Sequence, residues 1–204
     1  MGVAMSDLVD RAIESAGLGD VLAARRCGSM DEAQRVRLRA ADLLALGALA
    51  DRVRAQEVGA EVRIYTSDAS ERTKDDGRAV ALPPEDAELT GLELLREIAV
   101  ARLAGPPGAR VCVDWTRAGL ELAQVALGFG ANELAGRVAS KRGLPIAEGE
   151  LLGVGKKSRR ELAQVVKRKE LAAFVRRAGR VPSFIGPDGA PEPIDGSAPL
   201  EEST

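Results

Sequence analysis

"DWTRAGLELAQVALGFGANELAG", residues 114–136, decides the fold class. The apolar run "RVCVDW" (110–115) leads into it and reads as a short strand of a parallel sheet, where both faces are covered. A helix over 118–129 follows, rich in alanine and leucine and apolar on most sides. The turn "GFGAN" (128–132) then precedes "NELAGRV", the next strand, at about 133–138. Strand, helix and neighbouring parallel strand make a β-α-β unit, whose connection runs right-handed.

Outward from this unit, the sequence alternates helices and strands. Before it, Thr90 and Glu93 fit a capping box that opens "GLELLREIAVARL", with Leu92, Leu95, Ala99 and Leu103 as its buried stripe. "RAVALPP" (78–84) reads as a short edge strand ended by its prolines, and "SDASERTKDDG" (67–77) as a polar loop. "EVRIYT" (61–66) alternates and is β-prone. The helix "DLLALGALADRVRAQEVG" (42–59) repeats Leu43, Leu46, Leu49, Ala50 and Val53 at three- and four-residue spacing, with Asp42 to cap it and Gly59 beyond its end. Further toward the N-terminus, Ser29 and Glu32 suit a capping box before a charged helix over 30–41. Ser6 suits the cap of a first helix that Gly17 and Gly19 end. After the β-α-β unit, "KKSRRELAQVVKRKELAAFVRRAG" (156–179) predicts a basic amphipathic helix stopped by Gly179. The Pro-, Gly- and acid-rich tail beyond predicts disorder from about residue 187.

Composition bounds what such a chain does. Its 204 residues are 45% apolar, enough for a real core, but only 2% aromatic, so leucine, valine, alanine and isoleucine must fill it. There is no histidine, and Cys27 and Cys112 lie far apart, so no metal centre and no disulfide framework is expected. Cys112, inside an apolar run, reads as a small buried hydrophobe. Cys27 stands beside Arg25 and Arg26, which would lower its pKa, but no base partner makes it a nucleophile. No run of 18 apolar residues occurs and no signal peptide is apparent, which predicts a cytoplasmic protein that does not insert into membranes. The net charge of −2 hides a local excess of eight positive charges over 156–180.

Three segments carry a resemblance. "DLLALGALADRVRAQEVGAEVRIY" (42–65) resembles the opening of the radical SAM enzymes of the futalosine route to menaquinone. These are aminofutalosine synthase and dehypoxanthine futalosine cyclase, with the related deazaflavin-cofactor synthase. "GLELLREIAVARL" with "VDWTRAGLELAQVALGFGANELAG" is similar to the C-terminal part of their barrel. "RRELAQVVKRKELAAFVRRAGRVP" (159–182) is similar to their closing helix. The resemblance covers roughly residues 6–65 and 90–182. In that family a CxxxCxxC motif after the first strand holds a [4Fe–4S] cluster by three thiolates. Here "TSDASERTKDDG" follows Tyr65, with no cysteine, and the central strands of the barrel are missing.

The resemblance therefore implies an α/β fold, a partial (β/α) barrel remnant, helix-rich overall. Its small, mainly parallel sheet would have about three strands, in the order 110–115, 133–138, 61–66, because the last strand of a closed barrel neighbours the first. Residues 1–155 would form the helical N-terminus and core, 156–186 a basic helix packed on it, and 187–204 an acidic tail. Two open sheet edges and an uncovered inner face would call for a partner: a second copy of the chain, or a protein such as a menaquinone-route enzyme. The expected function is a non-catalytic accessory or regulatory protein acting by association, with no cofactor and no catalytic residue. Two other readings stay open. One is a small-molecule binder or enzyme keeping part of the ancestral pocket, with Trp115, Arg117, Asn132 and Glu133 as candidate ligand-binding residues. Against it, "GFGAN" also reads as helix-stop glycines with an asparagine in a turn, and Trp115 as a packed side chain. The other is a nucleic-acid or anion binder using Lys156, Lys157, Lys167, Arg168 and Lys169, although a solvated helix face accounts for the same charges. "ELLGVGKKS" (150–158) lacks the spacing of a phosphate loop and reads as a basic linker.

Overall fold

The computed structural model describes residues 2–27, 30–65, 79–80, 82, 89–136, 138–139, 166–186 and 189–194. Four helices come first: α1 (Gly2–Ser15), α2 (Val21–Cys27), α3 (Glu32–Ala40) and α4 (Leu43–Val58). Ser6 falls inside α1 rather than at its start. The capping box of α3 is formed by Asp31 and Gln34, two residues beyond the expected pair. Asp42 caps α4 through the N–H groups of Leu44 and Ala45.

Strand β1 (Glu61–Tyr65) and the short β2 (Ala79–Val80) precede α5 (Gly91–Ala104), which the Thr90–Glu93 box opens as expected. Leu95, Ala99 and Leu103 of its stripe are buried, but Leu92 is exposed. The buried face runs instead through Ile98 and Arg102. Next come β3 (Arg110–Asp114), the single turn α6 (Trp115–Ala118), α7 (Leu120–Leu127) and β4 (Glu133–Ala135). This is the β-α-β unit that the sequence predicts, with its helix broken at Gly119.

The main sheet has the order β2-β3-β4-β1 and continues through β7 (Val181–Ile185) to β8 (Pro191–Glu192). All its neighbours are parallel except the β7–β8 pair. The contiguous order β3-β4-β1 is the expected one. The sheet is wider than three strands, however, and the edge of β1 expected to stay open is taken by β7 over its whole length. "VPSFI" is a strand that the sequence reading does not include, and it carries Pro182. Val181 donates its N–H to Ala60, so by strand alternation the nitrogen of the next residue points away from β1. At that position a proline costs the β1 ladder nothing.

The basic region also differs from the expected long helix. Val166–Lys167 forms β6, paired in parallel with β5 (Val138–Ala139) in a separate two-stranded sheet. Helix α8 spans only Arg168–Arg177, and 156–165 lie outside the described residues. Residues 189–194, expected to be disordered, pack back through β8. Residues 195–204 lie outside the described ones.

The core sits on one side of the sheet. Val62, Ile64, Val111, Val113, Leu134 and Phe184 project from that face, all buried in one cluster with Leu46, Leu49, Ile98, Leu103, Leu127 and Leu171 of the helices. Ile64, Val111 and Val113, which a partial barrel would turn either to the flanking helices or to the former barrel interior, therefore meet the helices and need no partner to cover them. Among the described residues no helix is long and apolar enough to cross a membrane.

Candidate functional site

Alternation along a strand sends every second residue to the other face. On β1 these are Arg63 and Tyr65, on β3 Arg110, Cys112 and Asp114, and on β4 Glu133 and Ala135. The register sets Arg63 beside Glu133, and Glu133 beside Cys112. The face away from the helical core is thus polar in its middle strands, with Glu133 at its centre.

Glu133 is completely buried. Tyr65 donates its hydroxyl to Glu133 Oε1 at 3.1 Å. Arg110 Nε lies 3.6 Å from the same oxygen and Arg63 Nη1 lies 4.0 Å from it. The Arg63 guanidinium also stands over the Tyr65 ring, 5.8 Å from its centroid. A buried carboxylate requires such partners, since charge removed from water is costly unless it is compensated. Burial, and next the Glu133 charge, holds the Tyr65 phenol above its ordinary value of 10.0, against the opposing charges of Arg63 and Arg110. Arg63 keeps 30% of its side-chain surface exposed, so its guanidinium is within reach of a group arriving from outside. Two guanidiniums and a phenol around one carboxylate suit recognition of a polar or anionic group.

The four candidate ligand-binding residues do not share one pocket. Glu133 belongs to the polar face. Trp115 is buried at the C-terminal end of β3 and packs on Gly136, where a Cβ would come 2.3 Å from the indole. That close approach, not a ligand, explains a glycine after β4. Arg117 is exposed on α6. Asn132 lies at the opposite, N-terminal end of β4. Its Oδ1 accepts from the Val111 N–H at 2.9 Å and from Arg102 Nη2 at 2.6 Å. The "GFGAN" turn therefore sits at the end of the sheet away from the strand C-termini, where barrel sites are built.

Arg102 is itself fully buried and also donates to the carbonyls of Gly130 and Ala109. Burial pushes its pKa down to about 10. Gly130, at φ +98°, lets the chain pass so near that a Cβ would sit 2.9 Å from the Arg102 side chain. This cluster ties α5, the loop before β4 and the start of β3 together.

Of the basic candidates, Lys156 and Lys157 lie outside the described residues. Lys167 and Lys169 are exposed, and Lys167 Nζ lies 3.9 Å from Glu170. Arg168 is held by the Glu192 carboxylate and the Pro193 carbonyl, and lies over the Phe184 ring. Its role in the structure is to fasten β8 to α8. Cys112 is buried, as expected, while the Cys27 side chain lies outside what is described.

Arg63, Tyr65 and Arg110 were missed in the sequence, although the signal was present. "EVRIY" and "RVCVD" each place polar residues at alternate positions between buried valines and isoleucine, and only the strand order was needed to bring them together. Compared with models of known protein families and with curated proteins, the chain matches none.

Proposed function

We propose that this chain is a non-catalytic accessory protein of the cytoplasm, a shortened relative of the radical SAM enzymes of the futalosine route, acting by association with a second copy or with an enzyme of that route. The observation that supports this reading most is the strand order β3-β4-β1. It is the order in which the last strands of a closed barrel meet its first strand. In a closed barrel the face carrying Arg63, Arg110 and Glu133 would look inward. Here the partner is met at the half-exposed Arg63 of that face, by charge and hydrogen bonding rather than by apolar area. With two cysteines, one chain cannot supply the three thiolates of a radical SAM cluster.

Two measurements test this. Dilute protein is examined by light scattering, alone and mixed with a futalosine-route enzyme of the same organism. A dimer or a mixed complex is expected, weakened by Arg63→Glu. A chain that stays monomeric and alone at low micromolar concentration overturns the proposal. So does anaerobic reconstitution that yields about four irons per chain with cluster-like visible absorption.

The buried Glu133 cluster favours a second reading, a small-molecule binder that keeps part of a barrel pocket. Binding of a small ligand by the monomer, lost in Glu133→Gln with no change in association, would select it.

A further inference from the structure

Between α3, α5 and the edge strand β2 lies a cavity of about 330 Å³, on different elements from the polar sheet face. Its floor is small and apolar: Val80 from β2, and Val100, Ala101 and Ala104 from α5. Its rim carries Arg35 and Arg39, one turn apart on α3 and so on the same side of that helix, and Glu97 of α5. Glu97 is committed to Arg39, with Nε–Oε1 2.8 Å and Nη2–Oε2 3.1 Å, and Glu32 stands 3.8 Å from the same guanidinium. Its hydrogen bond to Glu97 raises the pKa of Arg39. Arg35 has no carboxylate partner among the described residues, so the rim keeps a guanidinium to offer a ligand.

We infer that this cavity binds a small organic monoanion, an apolar body ending in a carboxylate, with the body on the alanine floor and the carboxylate on Arg35. The volume is at the low end for a ligand pocket, which restricts the occupant to a small metabolite-sized acid. A planar guanidinium accepts a carboxylate through two parallel hydrogen bonds, and a neutral head group of the same shape forfeits the charge-assisted part. The small side chains of Ala101 and Ala104 are what leave room for the body. This inference does not depend on the accessory function proposed above.

Titration calorimetry with octanoate, and with octanamide as its neutral counterpart, tests the site on the full chain. Octanoate is expected to bind and octanamide to bind at least tenfold more weakly. Arg35→Gln is expected to lower octanoate affinity at least tenfold. Ala101→Leu, which fills the floor from a helical position, is expected to abolish binding of both. Circular dichroism and the melting temperature establish that each variant is folded. Equal binding of the two probes overturns the anionic assignment. Undiminished octanoate binding by folded Arg35→Gln and Ala101→Leu proteins overturns the site, as does a parent protein that binds neither probe.

Discussion

Tyr65 is the chain's single tyrosine, so its ionisation is read without interference from any other phenol. Burial and the adjacent Glu133 both favour its neutral form. Its absorbance titration in the folded protein is expected to have a midpoint above 10.0, the ordinary value. Removing the charge in Glu133→Gln should lower that midpoint, while burial keeps it from falling all the way back. The sign for stability follows from a folded-state pKa that is raised. The contribution is complete below the unfolded pKa and is lost as pH rises through the folded one. A midpoint that does not move in Glu133→Gln would mean that the carboxylate does not act on the phenol. The other polar residues divide by how far the sequence exposes their role. Thr90 with Glu93, and Asp42, could be read directly because a cap is a local pattern of side chain and backbone. Arg102 could not, because an arginine among leucines on a helix gives no sign that three oxygens, on the loops after α5 and before β4, await it.

Helices and strands are held to one another by a few such long-range bonds. Glu57 of α4 receives Arg25 of α2 at 2.7 and 2.9 Å and the Gly108 N–H at 2.9 Å, while Arg25 also caps the end of α5 through the carbonyls of Leu103 and Gly105. Burial opposes ionisation of Glu57, but these donors outweigh it and leave the carboxyl below its ordinary 4.5. The stability it contributes is present above that value and is lost as pH falls through the folded one. Glu57→Gln should therefore be less stable than the parent at pH 7 and should converge with it in acid, as denaturant unfolding at several pH values will show. A gap that stays constant with pH would assign the loss to packing instead. Strand β7 has a comparable role at the sheet edge. Ending the chain after Arg180 removes it, with the buried Phe184 and Ile185, each worth about 1.5–3 kcal/mol of burial. The freed edge of β1 should then pair with other chains, and light scattering should report aggregation that the full-length protein lacks. In sequence terms Pro182 argues against a strand at 181–185. Only its position beside β1 makes the proline harmless.

At the scale of the whole molecule, two of the described basic residues around the start of α8 stand beside carboxylates. The net charge is −2, Arg168 is engaged by Glu192, and Lys167 is near Glu170. The protein is expected to pass through a heparin column at physiological salt. Retention that falls steeply with salt, and falls again when Lys167, Arg168 and Lys169 become alanine, would instead make α8 a nucleic-acid surface. The β3-β4-β1 order was legible from the β-α-β pattern and the resemblance together, because each strand announces itself by alternation or by an apolar run. The polar face was not, since it exists only once three strands from distant parts of the chain are in register. That same register has an optical consequence. Tyr65 pairs with Ala135, Ala135 pairs with Asp114, and Trp115 follows at once. The chain's one tyrosine and one tryptophan thus stand at the same end of three adjacent strands, about 10 Å apart at two strand spacings. At that separation excitation of the phenol passes efficiently to the indole by resonance energy transfer, while in the unfolded chain some fifty residues lie between them. The molecule carries its own spectroscopic ruler, and tyrosine-sensitised indole emission reports, without any label, whether β1 and β3 have come to flank β4.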